Sequence, residues 1–164
     1  MRSHLIGGAA LALALAAPAA GAQDVGIPVG SRAPVAALQT LDGKPATLAQ
    51  FVGKTPLLLE FWAAWCENCH ALEPHLLAMQ NKYGGKVKFL GVAVSFNQSV
   101  NRARLYKEKH RLPYEIWYDG KGDAGAAYDA PGTSYVVVID KGGKVVYTGI
   151  GGDQKLETAI RKAM

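Results

Sequence analysis

A chain of 164 residues, 49% hydrophobic and 19% charged, has the composition of one globular domain long enough to bury a core, which excludes a disordered or low-complexity polymer. The formal net charge of +5 is a mild excess. Its carriers around Lys82, Lys86, Lys88, Arg102, Arg104, Lys107, Lys109 and Arg111 are scattered without interleaved aromatics, which argues for a solvated face and against a nucleic-acid interface.

The chain opens with a short basic start at Arg2 and His4, an apolar run over residues 5–20, and the small-x-small sequence Ala20-Gly21-Ala22. This reads as a secretory signal peptide over residues 1–22, cleaved after Ala22, followed by one domain over residues 23–164. The competing reading is an uncleaved anchor, for which the run is short and rich in Ala and Gly. No cysteine lies near the cleavage point, which argues against a lipid anchor. The expected location is periplasmic or secreted, without stable membrane contact once the leader is gone.

Residues 23–34, with Gly26, Pro28, Gly30 and Pro34, suit an extended segment. Residues 35–41 and 45–48 around Asp42-Gly43 predict a β-hairpin, and residues 48–51 a helical turn. Residues 56–62 form an apolar run without alternation, as in a strand buried on both faces. Apolar residues recur at helical spacing over 67–83, with a kink predicted near Pro74. A second buried strand over 86–94 and an amphipathic helix over 100–110 follow. Next come a strand over 114–118, a short helix over 124–128, and the strongly β-prone run over 135–139. The turn Lys141-Gly142-Gly143 joins that run to a strand over 144–150. A helix over 153–163 closes the chain, with Asp153 as its predicted N-cap. The order predicts an α/β domain, with a mixed central sheet, helices on both faces and an N-terminal β-hairpin extension.

The chain contains two cysteines, both in Trp65-Cys66-Glu67-Asn68-Cys69. A bridge closing so small a loop removes little chain entropy, so stapling is a poor reason for it even in an exported protein. The pair follows a buried strand and opens a helix, where unpaired N–H groups and positive potential stabilise a thiolate. Cys66 is expected to be the more exposed, attacking sulfur, and Cys69, one turn on, to resolve the mixed disulfide. Glu67 beside Cys66 opposes thiolate formation and so favours a reductant over a strong oxidant. Glu60 stands in the apolar run, where a carboxylate is costly. It is expected to exchange a proton with Cys69, against the simpler reading of a Glu that reaches solvent or a buried hydrogen bond.

The run from Leu59 to Cys69, Leu59-Glu60-Phe61-Trp62-Ala63-Ala64-Trp65-Cys66-Glu67-Asn68-Cys69, resembles the strand and active site of the thioredoxin superfamily. The continuation His70-Ala71-Leu72-Glu73-Pro74 resembles its TlpA-like periplasmic branch. The similarity extends from the first hairpin to Val138-Ile139-Asp140-Lys141-Gly142-Gly143. The resemblance implies a thioredoxin fold and a protein-disulfide oxidoreductase without a resident cofactor. It also implies protein disulfide substrates, such as maturing cytochromes or copper-site proteins, and a membrane or periplasmic electron donor. Glu60 falls where that superfamily often has a buried acid, and Glu73 where some TlpA-like proteins place a Glu near the cysteines; a surface charge before Pro74 is the plainer account of Glu73. The loop opposite the cysteines, which presents backbone to substrate, corresponds to Gly132-Thr133-Ser134-Tyr135, so Trp65, Thr133 and Ser134 are the expected substrate contacts. The family's cis proline is Ser134 here, and using Pro131 instead would require an insertion. A cis bond without proline costs roughly 3 kcal/mol, so Thr133-Ser134 is expected to be trans. Ser134 gains an N–H and a hydroxyl, which opens the site to a metal as an alternative.

Three rival chemistries fit parts of the pattern. Cys66, Cys69 and His70 form a soft ligand set for copper or zinc, with His75 out of phase on the helix; the simpler reading of His70 is an exposed residue beside Cys66. Cys66-Glu67-Asn68-Cys69-His70 also satisfies the c-type haem attachment pattern, although the preceding buried strand leaves little room for a porphyrin. A peroxiredoxin would resemble T-x-x-C, and the hydroxyl position is Ala63. Trp62, Trp65 and Tyr135 are candidates for an apolar docking rim, with core packing an equal account of Trp62.

Overall fold

The computed structural model describes residues 25–164, so the predicted leader and its cleavage point lie outside the described residues. Strands β1 (Ala37–Thr40), β2 (Pro45–Thr47), β3 (Leu57–Trp62), β4 (Lys88–Val94), β5 (Glu115–Asp119), β6 (Tyr135–Ile139) and β7 (Val145–Ile150) alternate with helices α1 (Glu67–Tyr83), α2 (Val100–His110), α3 (Asp123–Ala127) and α4 (Leu156–Ala163). A 3-10 turn over Leu48–Gln50 follows β2, with the Thr47 side chain capping it.

The strands form one mixed sheet in the order β2-β1-β5-β4-β3-β6-β7. β3 lies parallel to β4 and antiparallel to β6, and β4 lies parallel to β5. Every residue of β3 is buried, because the sheet is covered on both faces and a strand in that position has no solvent side. Leu58 and Trp62 face a core shared with α1, α2 and α4, through residues such as Leu72, Ala103 and Ile160. Leu57, Leu59 and Phe61 face the opposite core, with Leu48, Ala124 and Tyr128. By the period-two alternation of a strand, Glu60 points to the α1 side.

Most boundaries shift from expectation by one or two residues, and two of the differences have a visible cause. The last helix begins at Leu156, with Lys155 at its N-cap and no side-chain cap, so Asp153 does not cap it. The turn before the helix is organised by Gln154, whose Nε2 donates to the carbonyls of Gly151 and Ser134 at 2.8 and 3.0 Å. β4 starts at Lys88 because the N–H groups of Lys86 and Val87 both donate to the Tyr83 carbonyl and finish the turn after α1. Pro74 is contained within α1.

Candidate active site

β3 runs parallel to β4 and ends at Trp62, and the chain turns through Ala63 and Ala64 into α1. Cys66 is the N-cap of α1, with extended backbone (φ −88°, ψ 107°), and its Sγ accepts the N–H of Cys69 at 3.1 Å. The two sulfurs are joined in a disulfide, with their Cα atoms 5.2 Å apart. The expected difference in exposure is absent: both cysteines are 5% exposed, since each sulfur covers the other and both belong to the α1-side core. What distinguishes them is position, because the N-cap sulfur faces the unpaired N–H groups of the first turn.

The turn is held from the side by a residue with no signal in the sequence. Gln98, 5% exposed, accepts the Ala64 N–H through Oε1 at 2.6 Å and donates through Nε2 to the Val94 carbonyl at 3.0 Å. A glutamine in a polar loop is unremarkable until the loop packs against Ala64 and Trp65. Phe96 from the same loop is 69% exposed and stands edge-on to Trp65, with ring centroids 6.0 Å apart. The Trp65 indole N–H donates to the Phe96 carbonyl at 3.1 Å. These two rings and Thr133 border a groove of about 430 Å³ whose wall also includes Gly122, Gly125 and Gly132. Trp62 and Tyr135 are 3% and 0% exposed, so they belong to the core and the rim is Trp65 with Phe96.

Ser134 follows Thr133, which borders that groove. It is fully buried, with a left-handed φ of 59°, and the described residues contain no cis peptide bond. Its Oγ accepts the Gly151 N–H at 3.1 Å and its carbonyl accepts from Gln154. The hydroxyl gained in place of a proline is therefore taken up internally.

Glu60 is 5% exposed and its Oε1 has no hydrogen-bond partner. Burial, followed by the nearby charge of Glu73, pushes its carboxyl from 4.5 up to about 8. Glu60, Cys69 and Glu73 border one small cavity together with Trp62, Tyr106, Leu112 and Tyr114. Glu73 is held from α2: Tyr106 donates its hydroxyl to Oε2 at 2.8 Å, and His110 Nδ1 lies 2.9 Å from Oε1. The resemblance placed Glu73 near the cysteines, but its two partners carried no signal beyond lying four residues apart on the predicted helix.

His70 is exposed and its Nε2 lies 3.2 Å from the Ala64 carbonyl, while its ring stacks on Tyr106 with centroids 5.5 Å apart. His75 lines a separate groove with Met79 and Gln154. Among the described residues no group of three or more His, Cys, Asp or Glu side chains is placed to hold a metal ion. The set Cys66, Cys69 and His70 is thus not assembled, and the two sulfurs are bonded to each other.

The Redoxin family model matches residues 28–163. Thioredoxin-like protein YneN of Bacillus subtilis (strain 168) is 31% identical over 124 residues, 75% of this chain and 72% of that protein. Thiol-disulfide oxidoreductase ResA of Geobacillus thermodenitrificans (strain NG80-2) is 29% identical over 122 residues, 73% of this chain and 67% of that protein. Among solved structures, a Chlorobium tepidum protein described as a thiol:disulfide interchange protein DsbE superimposes with a TM-score of 0.74 at 26% identity, covering 84% of this chain and 98% of that one. A helix-capping cysteine bonded to its neighbour one turn away, on this sheet, and a family match spanning the described domain agree: the chain belongs to the Redoxin family, as a thiol-disulfide oxidoreductase of thioredoxin-like fold.

Proposed function

We propose that this chain reduces disulfides of exported proteins, with Cys66 as the attacking sulfur, Cys69 as the resolving sulfur and Glu60 as the group that exchanges a proton with Cys69. The observation that carries the reading is the N-cap position of Cys66, whose sulfur already receives the Cys69 N–H. In the reduced protein the Cys66 thiolate attacks a substrate disulfide, forms a mixed disulfide and expels one substrate thiolate, which takes a proton. Cys69 gives its proton to Glu60 and attacks Cys66 Sγ, closing the internal disulfide and releasing the second thiolate. Two electrons pass from the dithiol to the substrate. A carboxyl that titrates near 8 lies close to the pKa of a free thiol, about 8.5, and so exchanges a proton with it in either direction.

Substrate backbone docks along Thr133 beside Trp65 and Phe96, and Ser134 supports that loop from beneath. Delivery to the periplasm, with the leader cleaved after Ala22, and re-reduction by a membrane or periplasmic donor complete the reading. The direction rests on Glu67, which is exposed, so solvent weakens its effect on Cys66.

Insulin disulfide reduction tests the roles of the sulfurs. Cys66→Ser is expected to abolish it, and Cys69→Ser to accumulate a mixed disulfide with substrate on Cys66. Residual turnover in Cys66→Ser, or trapping through Cys69, would reverse the two assignments. Equilibration with glutathione tests direction: a potential near that of a strong oxidase, roughly −120 mV, would remove the reductant reading.

A further inference from the structure

The buried carboxyl of Glu60 has no visible way to exchange a proton with solvent by itself. Its Oε1 lacks a partner, and so does the indole Nε1 of Trp62 beside it. Both residues border the cavity that Cys69, Glu73, Tyr106 and Tyr114 also line. That cavity measures about 10 Å³, close to the room a single water molecule needs, and its wall offers an unpartnered acceptor and an unpartnered donor. Glu73 borders the same cavity, with its side chain 18% exposed and its Oε1 paired with His110 Nδ1 at 2.9 Å. The His110 side chain is 30% exposed. The line Glu60, cavity, Glu73, His110 therefore leads from the interior to solvent through groups able to take up and release a proton.

We infer that Glu60 exchanges its proton with solvent through a water in this cavity, the Glu73 carboxylate and the His110 imidazole. The proton moves from Glu60 to the water, from the water to a Glu73 oxygen, and from Glu73 to His110 Nδ1, while His110 Nε2 releases one outside. Reversed, the same steps reload Glu60. No electrons move in this relay. The other groups facing Glu60 do not compete: Tyr106 and Tyr114 hold their phenolic protons far above the usual range, burial being the first cause for each. Tyr106 instead positions Glu73 by donating to its Oε2, and it stacks on His110 with centroids 3.8 Å apart. Tyr106 is thus a positioning residue, and the purpose of the relay, resetting Glu60 between exchange cycles, rests on the proposed function above.

Because Trp62 borders the same cavity, its fluorescence reports the Glu60 charge without any substrate. The experiment is a temperature-jump relaxation of the oxidised full chain near pH 8, in a dilute buffer whose pH shifts with temperature, with Trp62→Phe identifying the Trp62 signal and Glu60→Gln confirming its source. His110→Ala and His110→Gln are expected to slow the relaxation roughly tenfold or more, and added imidazole to restore it in His110→Ala. Glu73→Gln is expected to slow it as well and to lower the pH at which Glu60 ionises, since a neighbouring negative charge is lost. Unchanged relaxation in both His110 variants, or slowing that imidazole does not relieve, would overturn the relay. The measurement involves no thiol exchange, so failure of the disulfide-reductase reading would appear only in the insulin assay, and failure of the relay only here.

Discussion

At the scale of single residues, Glu60, the proposed proton partner of Cys69, also costs stability. It occupies a strand buried throughout, pairing in register with Gly91 on one side and Val136 on the other. Its carboxyl is raised from 4.5 to about 8, so the native state keeps a proton that the unfolded chain has already released. Stability contributed by the neutral form is fully present below pH 4.5, declines as pH rises, and levels off above 8. Integrating that window gives a loss of about 3 kcal/mol between pH 4 and 7. Glu60→Gln is expected to abolish this slope, so denaturant melts of parent and variant should converge near pH 4 and separate by that amount at pH 7. Parallel pH profiles would show that the carboxyl is not held neutral in the native state. The residue was legible in the sequence because a carboxylate in an unbroken apolar run has few explanations. Gln98 and Phe96 were not, because their importance comes from the loop that carries them packing against Ala64 and Trp65 just before Cys66, which no local pattern encodes.

At the scale of elements, the connection from α3 to β6 and the turn from β7 to α4 act as one unit. Ser134 is fully buried at φ 59°, and its hydroxyl and carbonyl receive Gly151 and Gln154 from the second segment. Proline locks φ near −65° and cannot occupy this conformation without moving the loop. Ser134→Pro is therefore expected to destabilise the protein by about 3 kcal/mol or more, whereas Ser134→Gly trades relief of the left-handed backbone against a lost hydrogen bond and should lie within about 1 kcal/mol of the parent. Urea midpoints of the two variants measure the contrast, and equal midpoints would mean that the loop is not bound to its present geometry. This unit also explains where sequence reading stopped. The strands over residues 57–62 and 135–139 and the helix over 100–110 follow from uninterrupted apolar runs or helical spacing, which local physics determines. Asp153 has the residue type of an N-cap, but Gln154 is drawn toward Ser134, twenty residues earlier, and the helix starts later. A long-range hydrogen bond overrode a local preference.

For the whole molecule, the sheet order places the reactive cysteines beyond the end of its best-supported strand. Residues 57–61 of β3 pair with both β4 and β6 and are buried on both faces. The hairpin of β1 and β2 lies at the far edge, joined to the body of the sheet by the pairs Gln39 with Tyr118 and Thr40 with Trp117. β2 is three residues long and mostly exposed or half-buried. Breaking the hairpin away strips Leu38 and Ala46 from the core face that Leu57, Leu59 and Phe61 also line, but leaves the core that Leu58 and Trp62 share with α1, α2 and α4 largely in place, so it should open at lower free energy than the rest. Native-state amide exchange is expected to show residues 57–61 and 135–139 exchanging only through global unfolding, with a steep urea dependence. Amides in residues 38–47 should exchange through an opening about 2 kcal/mol or more below that level, with little urea dependence. Reduction of the disulfide should then raise exchange in the first turn of α1, where Cys69 donates its N–H to the Cys66 sulfur, and leave the hairpin unchanged. Equal protection in the hairpin and β3 would mean that the domain opens as a single unit. A redox change felt equally at both ends would then have to travel through the whole sheet, instead of ending where the rigid strand hands the cysteines to the helix.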